Sequence, residues 1–204
     1  MTDPLIVLPA TISVVLADAN VLYSRSLRDY LLYAAEQEIV NVRWSQAILD
    51  DVTQHLTANL PNFDQAAACH LVSLMEDTFP LAKVEPSQRD FSRLESITLP
   101  DEDDRSVIAA AIAADATIIC TNNLKHFPAV VLHRFNMLAV PPDDLFTQLI
   151  YTHMAEMVAA HRAVVAAFPR ATDESTLSAL RRARAFKTAD LMASCLGLSD
   201  TPSQ

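Results

Sequence analysis

A single glycine in 204 residues is the tightest restriction this chain places on its own fold. An average chain of this length carries about 14, at roughly 7%. The lone Gly197 lies near the C-terminus, so no glycine-rich loop exists to bring backbone amides against a phosphate. That excludes the Walker-type P-loop and the G-x-G-x-x-G dinucleotide fingerprint. The G-x-S-x-G nucleophile elbow goes with them. Phosphate chemistry on this chain needs another device.

Hydrophobic residues make up 51% of the chain and charged residues 20%, enough for one sizeable core, or one core and an appendage. The net charge of −10 argues against wholesale binding to nucleic acid unless cations are placed locally. Cys69, Cys120 and Cys195 are odd in number and form no C-x-x-C, so neither a disulfide framework nor a zinc site is expected. A reducing, cytoplasmic compartment is the expectation. The apolar run Leu5 to Leu16 contains Pro9 and lacks the basic flank of a signal peptide. The run Val107 to Cys120 is interrupted by Asp115 and is too short to span a bilayer, so no membrane segment or membrane partner is expected.

Periodicity predicts a buried parallel strand over Thr11 to Leu16 that delivers Asp18 at its C-terminal end. Ser24 or Ser26 then caps a helix with Leu27, Leu31, Leu32 and Ala35 on one face. Ser45 caps the next, with Ile48, Leu49, Val52 and Leu56 inward and Asp50 and Asp51 along it. A third helix is expected over about Asp64 to Thr78, and a short strand over Ala82 to Val84. The acidic turn Pro100-Asp101-Glu102-Asp103-Asp104 leads into an alanine-rich helix over Val107 to Ala114. A second buried strand, Thr117 to Thr121, closes at Asn122-Asn123. Alternating strands and helices imply an α/β fold with a parallel sheet. Pro141-Pro142 marks the boundary between residues 1–140 and a C-terminal extension, 141–204, that reads as three helices, roughly 143–167, 173–184 and 187–196.

Ligands of open α/β sheets bind beyond the carboxyl ends of the strands. Asp18 and Asn123 fall at such ends, and Asp51 and Asp104 sit near helix starts that project over the same edge. Each acid alone reads as an ordinary cap. Together they repel, and either raise a pKa or share a cation. Oxygen donors favour Mg²⁺ or Mn²⁺, which bridges to phosphates and activates water. This is a phosphate device that needs no glycine. His126, beside Phe127, reads as a surface histidine rather than a substrate contact. His55, His70, His133, His153 and His161 have no metal-ligand spacing and are assigned no chemistry.

Val15-Leu16-Ala17-Asp18-Ala19-Asn20-Val21-Leu22-Tyr23-Ser24 resembles the first motif of PIN-domain ribonucleases. Arg43 to Val52, Leu99 to Ala111 and Ile118 to Pro128 resemble the second, third and fourth, in that order. The resemblance covers roughly 11–140, and the tail is similar to the extension of a subset of VapC-type toxins. It implies a three-layer α/β/α sandwich with a central parallel sheet, and a metal-dependent endoribonuclease that is the toxin of a toxin–antitoxin pair. Asp18, Asp51 and Asp104 would be the metal-binding acids, joined at the catalytic site by Asn123. Asn20 and Thr121 would hold the geometry, and one or two Mg²⁺ or Mn²⁺ ions would be the cofactor. The resemblance departs at two points. Asp51 stands where the family often has Glu, and the fourth motif, which often supplies an acid, has only Asn123 here and His126 three residues on. Asp101 and Asp103 are candidate substitutes, Asp101 as a ligand or outer partner, while Asp103 also reads as a helix cap.

RNA, with structured RNA such as tRNA among the substrates, must approach a protein of charge −10, so local cations matter. The candidates are Arg25, Arg28, Lys125 and the cluster Arg181, Arg182, Arg184 and Lys187, each of which also reads as a solvated helix face. The family also implies a cognate antitoxin with a cation for the acidic pocket, and a homodimer. Two other readings stay open. One is a catalytically silent PIN-like binding module, because the fourth acid is missing; the other is a haloacid-dehalogenase-like phosphatase, whose D-x-D is here Asp18-Ala19-Asn20. The family often carries glycine near Ala114, at the end of the alanine-rich helix. Without it, either Asp115 takes the left-handed conformation or the helix ends in another geometry, and Ala114 is not expected at positive φ.

Overall fold

The computed structural model describes residues 13–198. Of the predicted first strand, Thr11 and Ile12 lie outside these residues. The chain forms strand β1 (Ser13–Ala17), helices α1 (Ala19–Tyr23) and α2 (Arg25–Glu36), strand β2 (Val40–Ser45), and helices α3 (Gln46–Asn59) and α4 (Gln65–Thr78). Strand β3 (Lys83–Val84), α5 (Gln88–Ser92), α6 (Arg105–Ala113), β4 (Ile118–Cys120), α7 (Ala129–Leu132) and β5 (Leu138–Val140) follow. Helices α8 (Pro142–Thr152), α9 (Met154–Ala166), α10 (Asp173–Arg182) and α11 (Phe186–Cys195) complete it. No helix among the described residues is long and apolar enough to cross a membrane.

Two compact units emerge, and they do not follow chain order. One is formed by Ser13–Tyr23 and Asn41–Pro141, the other by Ser24–Val40 together with the described residues from Pro142 onward. Helix α2 therefore groups with the tail helices, although it lies within the first 140 residues.

The first unit holds the sheet, in the order β3-β2-β1-β4-β5, with the parallel registers Val15 to Ile118 and Ile118 to Leu138. This is the α/β class with a central parallel sheet that the sequence predicts. Val15, Leu16, Ala17, Ile119 and Cys120 are wholly buried, as central parallel strands covered on both faces require. Ser45 caps α3 as expected, its hydroxyl accepting from the Ile48 amide, and Ile48, Leu49, Val52 and Leu56 are buried. Asp64 caps α4 in the same way. Strand β2 is unforeseen, although its signature is plain: Val40, Val42 and Trp44 are buried while Asn41 is exposed. Trp44 meets Phe79 edge to face at 6.1 Å.

In the second unit, α2 buries Leu27, Tyr30, Leu31 and Ala34, so the inward face is rotated from the predicted Leu32 and Ala35, both only partly covered. Tyr30 sets this rotation: its hydroxyl bonds to Nδ1 of the fully buried His161, whose Nε2 meets Asp173 Oδ1 at 3.1 Å. His161 thus has a structural task, and burial holds its pKa below the ordinary value against the pull of Asp173. The predicted helix 143–167 is two helices, broken at His153, where φ is −140°. Pro142 is not an extended joint but the first residue of α8, a position that needs no amide donor. Asp143 ties α8 to α11 by accepting from the Lys187 and Thr188 amides and the Thr188 hydroxyl.

The glycine shortage is met at the helix ends. Asp115 has φ of 49° and Ala114 of −82°, as expected. Glu38, Asn136 and Arg184 are also left-handed, as is Gly197. Each closes the same two-bond cap, typified by Ala116 N to Ala111 O and Asp115 N to Ile112 O, and each is followed by an apolar residue. For Glu38 and Arg184 the left-handed conformation costs about 1–2 kcal/mol, with no short polar side chain to ease it. Glu38→Gly and Arg184→Gly should therefore each raise stability by roughly 0.5–1 kcal/mol after the added unfolded-state freedom is deducted. Chemical denaturation of each variant checks this, and lower stability in both would refute it.

Candidate active site

Sheet order and helix placement bring the sequence-predicted acids to one edge. Strand β1 ends at Ala17, and the next amide, Asp18 N, donates to Cys120 O at 3.1 Å, so Asp18 stands where β1 and β4 both run out. Its carboxylate is almost fully buried and accepts three hydrogen bonds. Oδ1 accepts from the Ala19 amide at 2.7 Å, and Oδ2 accepts from the Thr121 hydroxyl at 2.6 Å and from the Asn20 amide. Asn20 also donates to Thr121 Oγ1 at 3.0 Å and accepts from the Asn122 amide. Thr121 Oγ1 in turn accepts from Asn123 N at 3.0 Å. Asn20 and Thr121 thus hold the Asp18 carboxylate and link the chain just after β1 to the chain just after β4.

Asp104 precedes α6, yet its side chain makes no capping bond. The ordinary reading of an acid before a helix fails here. Its Oδ2 instead lies 2.8 Å from His126 Nδ1, and Asp101 Oδ2 lies 3.6 Å from the same nitrogen. One donor atom from each of Asp101, Asp104 and His126 falls within a 4.8 Å group. Asp101 is placed by a turn in which its Oδ1 accepts from the Asp103 amide. Arg105 pins that turn by reaching the Leu94 and Ile97 carbonyls and the Glu102 carboxylate. Asp103 is exposed.

His126 is the residue that sequence reasoning misassigned. Its side chain is only 21% exposed, and the short turn Leu124–His126 carries it into the acidic group, with Asn123 Nδ2 at 2.9 Å. Nothing local in the sequence announces this, because its carboxylate partner is 22 positions away. Asn123 reaches the site through His126 and Thr121. Asp51, on α3, is exposed and stands outside the 4.8 Å group, as does Asp18, but its charge acts on Asp18.

The electrostatics follow from burial. Desolvation pushes the Asp18 carboxyl above the usual range, opposed by the bonds from Thr121, Ala19 and Asn20 and reinforced by Asp51. Desolvation also raises Asp104, against the pull of His126 and with the push of Asp101 and Asp18. Among the described residues no lysine or arginine pairs with either acid. Partly buried, mutually repelling carboxylates with an imidazole beside them are a donor set that a divalent cation fits. Asp101, Asp104 and His126 could hold it, and Asp18 faces it with charge.

The predicted RNA-binding cations are placed unevenly. Lys125 is exposed in the His126 turn. In the second unit, Arg28 is buried beside Asp29, which corrects its reading as a solvent-facing cation. Arg25 pairs with Asp29 and lies over the Phe168 ring at 3.9 Å. Arg181 is held by Asp190 at 2.7 Å and Lys187 by Asp144 at 3.0 Å. Arg182 and Arg184 are exposed.

A family model described as PIN domain matches residues 14–125, over half the chain, and takes in Asp18, Asp51, Asp101 and Asp104. Among curated proteins, "Putative ribonuclease VapC50" of Mycobacterium tuberculosis is 37% identical over 79 residues, or 38% of this chain. That alignment spans 47% of the relative's length, so the chain covers about half of it. No solved structure matches the chain significantly.

The raised carboxyls set the sign of a stability test. A group that holds its proton more tightly when folded favours folding at low pH, and that contribution is lost as pH rises through its folded pKa. At neutral pH, without metal, Asp104 is therefore a cost. Asp104→Asn should melt above wild type at pH 7 in chelated buffer, with the gap closing as pH falls toward about 4. Millimolar Mn²⁺ should raise the wild-type midpoint and move the variant's much less. A variant that melts below wild type at pH 7 would contradict this account of the site.

Proposed function

The chain belongs to the PIN-domain family, and from that premise we propose that it is a divalent-metal-dependent endoribonuclease, the toxin of a toxin–antitoxin pair. The observation that carries the proposal is Asp104, turned from its helix-capping role toward Asp101 and His126 at the edge where Asp18 is held. A bound Mg²⁺ or Mn²⁺ would supply Lewis acidity, making water more acidic and offsetting the charge of the phosphodiester.

The chain's own residues do the rest. Asp101 and Asp104 would hold the cation, with His126 set against both. Asp18, restrained by Asn20 and Thr121, orients water through its remaining lone pairs and accepts its proton, a task suited to a carboxyl whose pKa burial has raised. Asp51 adds negative charge on the α3 side, and Asn123 keeps His126 in place. Lys125, exposed in the same turn, meets the RNA backbone. The acidic edge would also accept a lysine or arginine from a cognate antitoxin. The relative named as a ribonuclease supports the same substrate class.

Two other readings are weaker. Asp18 has both oxygens committed to hydrogen bonds, which argues against an aspartyl nucleophile of phosphatase type. The silent binding module is favoured by the neutral Asn123, and the same experiment tests it. Asp18→Asn and Asp104→Asn should each reduce Mn²⁺-dependent cleavage of labelled structured RNA, a tRNA pool for instance, by about 10²–10⁴-fold while remaining folded by circular dichroism. Cleavage at the wild-type rate by both variants would overturn the assignment. An inert wild type under these conditions would favour the silent module.

A further inference from the structure

We propose that His126 is itself a ligand of the metal site, and that its Nδ1 shifts the site's preference from Mg²⁺ toward Mn²⁺. The proposal rests on the reading above only in taking a divalent cation to bind at Asp101 and Asp104.

The argument begins with what surrounds the ring nitrogen. Nδ1 lies 2.8 Å from one carboxylate oxygen, Asp104 Oδ2, and 3.6 Å from another, Asp101 Oδ2. It also lies 2.9 Å from the amide nitrogen of Asn123. A neutral imidazole nitrogen is either a donor or an acceptor. As a donor, Nδ1 meets the carboxylates well but opposes the Asn123 N–H. As an acceptor, its single in-plane lone pair meets the Asn123 N–H and two carboxylate oxygens and can serve only one partner. A cation among the three atoms would take that pair, together with one from each carboxylate, in place of the Asn123 bond.

The ring is also delivered rather than left to drift. His126 N donates to Asn123 O at 3.0 Å, Phe127 N donates to Leu124 O at 3.1 Å, and the Phe127 side chain is buried directly after it. The backbone at 123–127 thus fixes where the imidazole points. The turn puts a nitrogen donor next to Asn123, where no acid is available, so the site gains a ligand without gaining negative charge.

Selectivity follows from donor chemistry. Mg²⁺ demands near-octahedral oxygen ligation and gains little from imidazole. Affinity for nitrogen donors rises along the first-row divalent series, so a nitrogen in place of an oxygen favours Mn²⁺ and its later neighbours over Mg²⁺.

Calorimetric titration of the full chain with MnCl₂ and, separately, MgCl₂ tests this on wild type, His126→Ala and His126→Asp. His126→Ala should weaken Mn²⁺ binding by roughly 10–100-fold, at least the loss caused by removing an outer partner of a ligand, and weaken Mg²⁺ binding far less. His126→Asp, which restores an oxygen donor, should lower the Mn²⁺-to-Mg²⁺ affinity ratio by about tenfold or more. Substoichiometric Mn²⁺ should broaden the His126 ring protons in NMR spectra ahead of the other histidines. Equal Mn²⁺ affinity in wild type and His126→Ala, or equal loss for both metals, would overturn the proposal. RNA cleavage alongside such His126-independent binding would defeat this proposal and leave the nuclease reading intact. His126-dependent Mn²⁺ binding without cleavage would do the reverse.

Discussion

The Asp18 carboxylate is the point on which the site unit turns. It is nearly buried, it accepts from three donors, and those donors come from both ends of the edge it occupies: Ala19 and Asn20 after β1, Thr121 after β4. Through Asn20 and Thr121 it is joined to the turn that carries Asn123 and His126. Burial makes the charge costly, and the hydrogen bonds from Thr121, Ala19 and Asn20 offset part of that cost. A divalent cation, as proposed, would offset more of it.

Much of this edge is legible in sequence because its devices are local. A β-branched run ending in Asp18, a helix cap at Ser45, a helix starting near Asp64, and an acidic turn ahead of an alanine-rich helix are short-range signals, and each forms where expected. What is not legible depends on distant partners. His126 reads as a surface residue until the fold brings Asp104 to it from 22 positions away. Arg28 reads as a solvated cation until α2 is seen to turn it inward beside Asp29. Strand β2 alternates clearly, yet it runs straight into Ser45, so the helix cap masks the strand.

The tail shows the limit of charge counting. A cluster of four basic residues close in sequence suggests a patch for RNA, yet Arg181 and Lys187 are held by Asp190 and Asp144 of the same unit. These pairs are exposed and contribute little stability, but they occupy the cations. With a net charge of −10, the proposed attraction for RNA would come from a few placed groups, Lys125 in the His126 turn foremost, and from the bound cation. The scarcity of glycine leaves its own mark: the backbone turns on Glu38, Asp115, Asn136 and Arg184 at its helix ends.

The central claim is that these acids form a metal site, and anomalous diffraction from crystals soaked in millimolar Mn²⁺ tests it most directly. The account predicts a strong peak in direct coordination with Asp101, Asp104 and His126, facing Asp18. No peak there, or a peak confined to acids elsewhere on the surface, would contradict it.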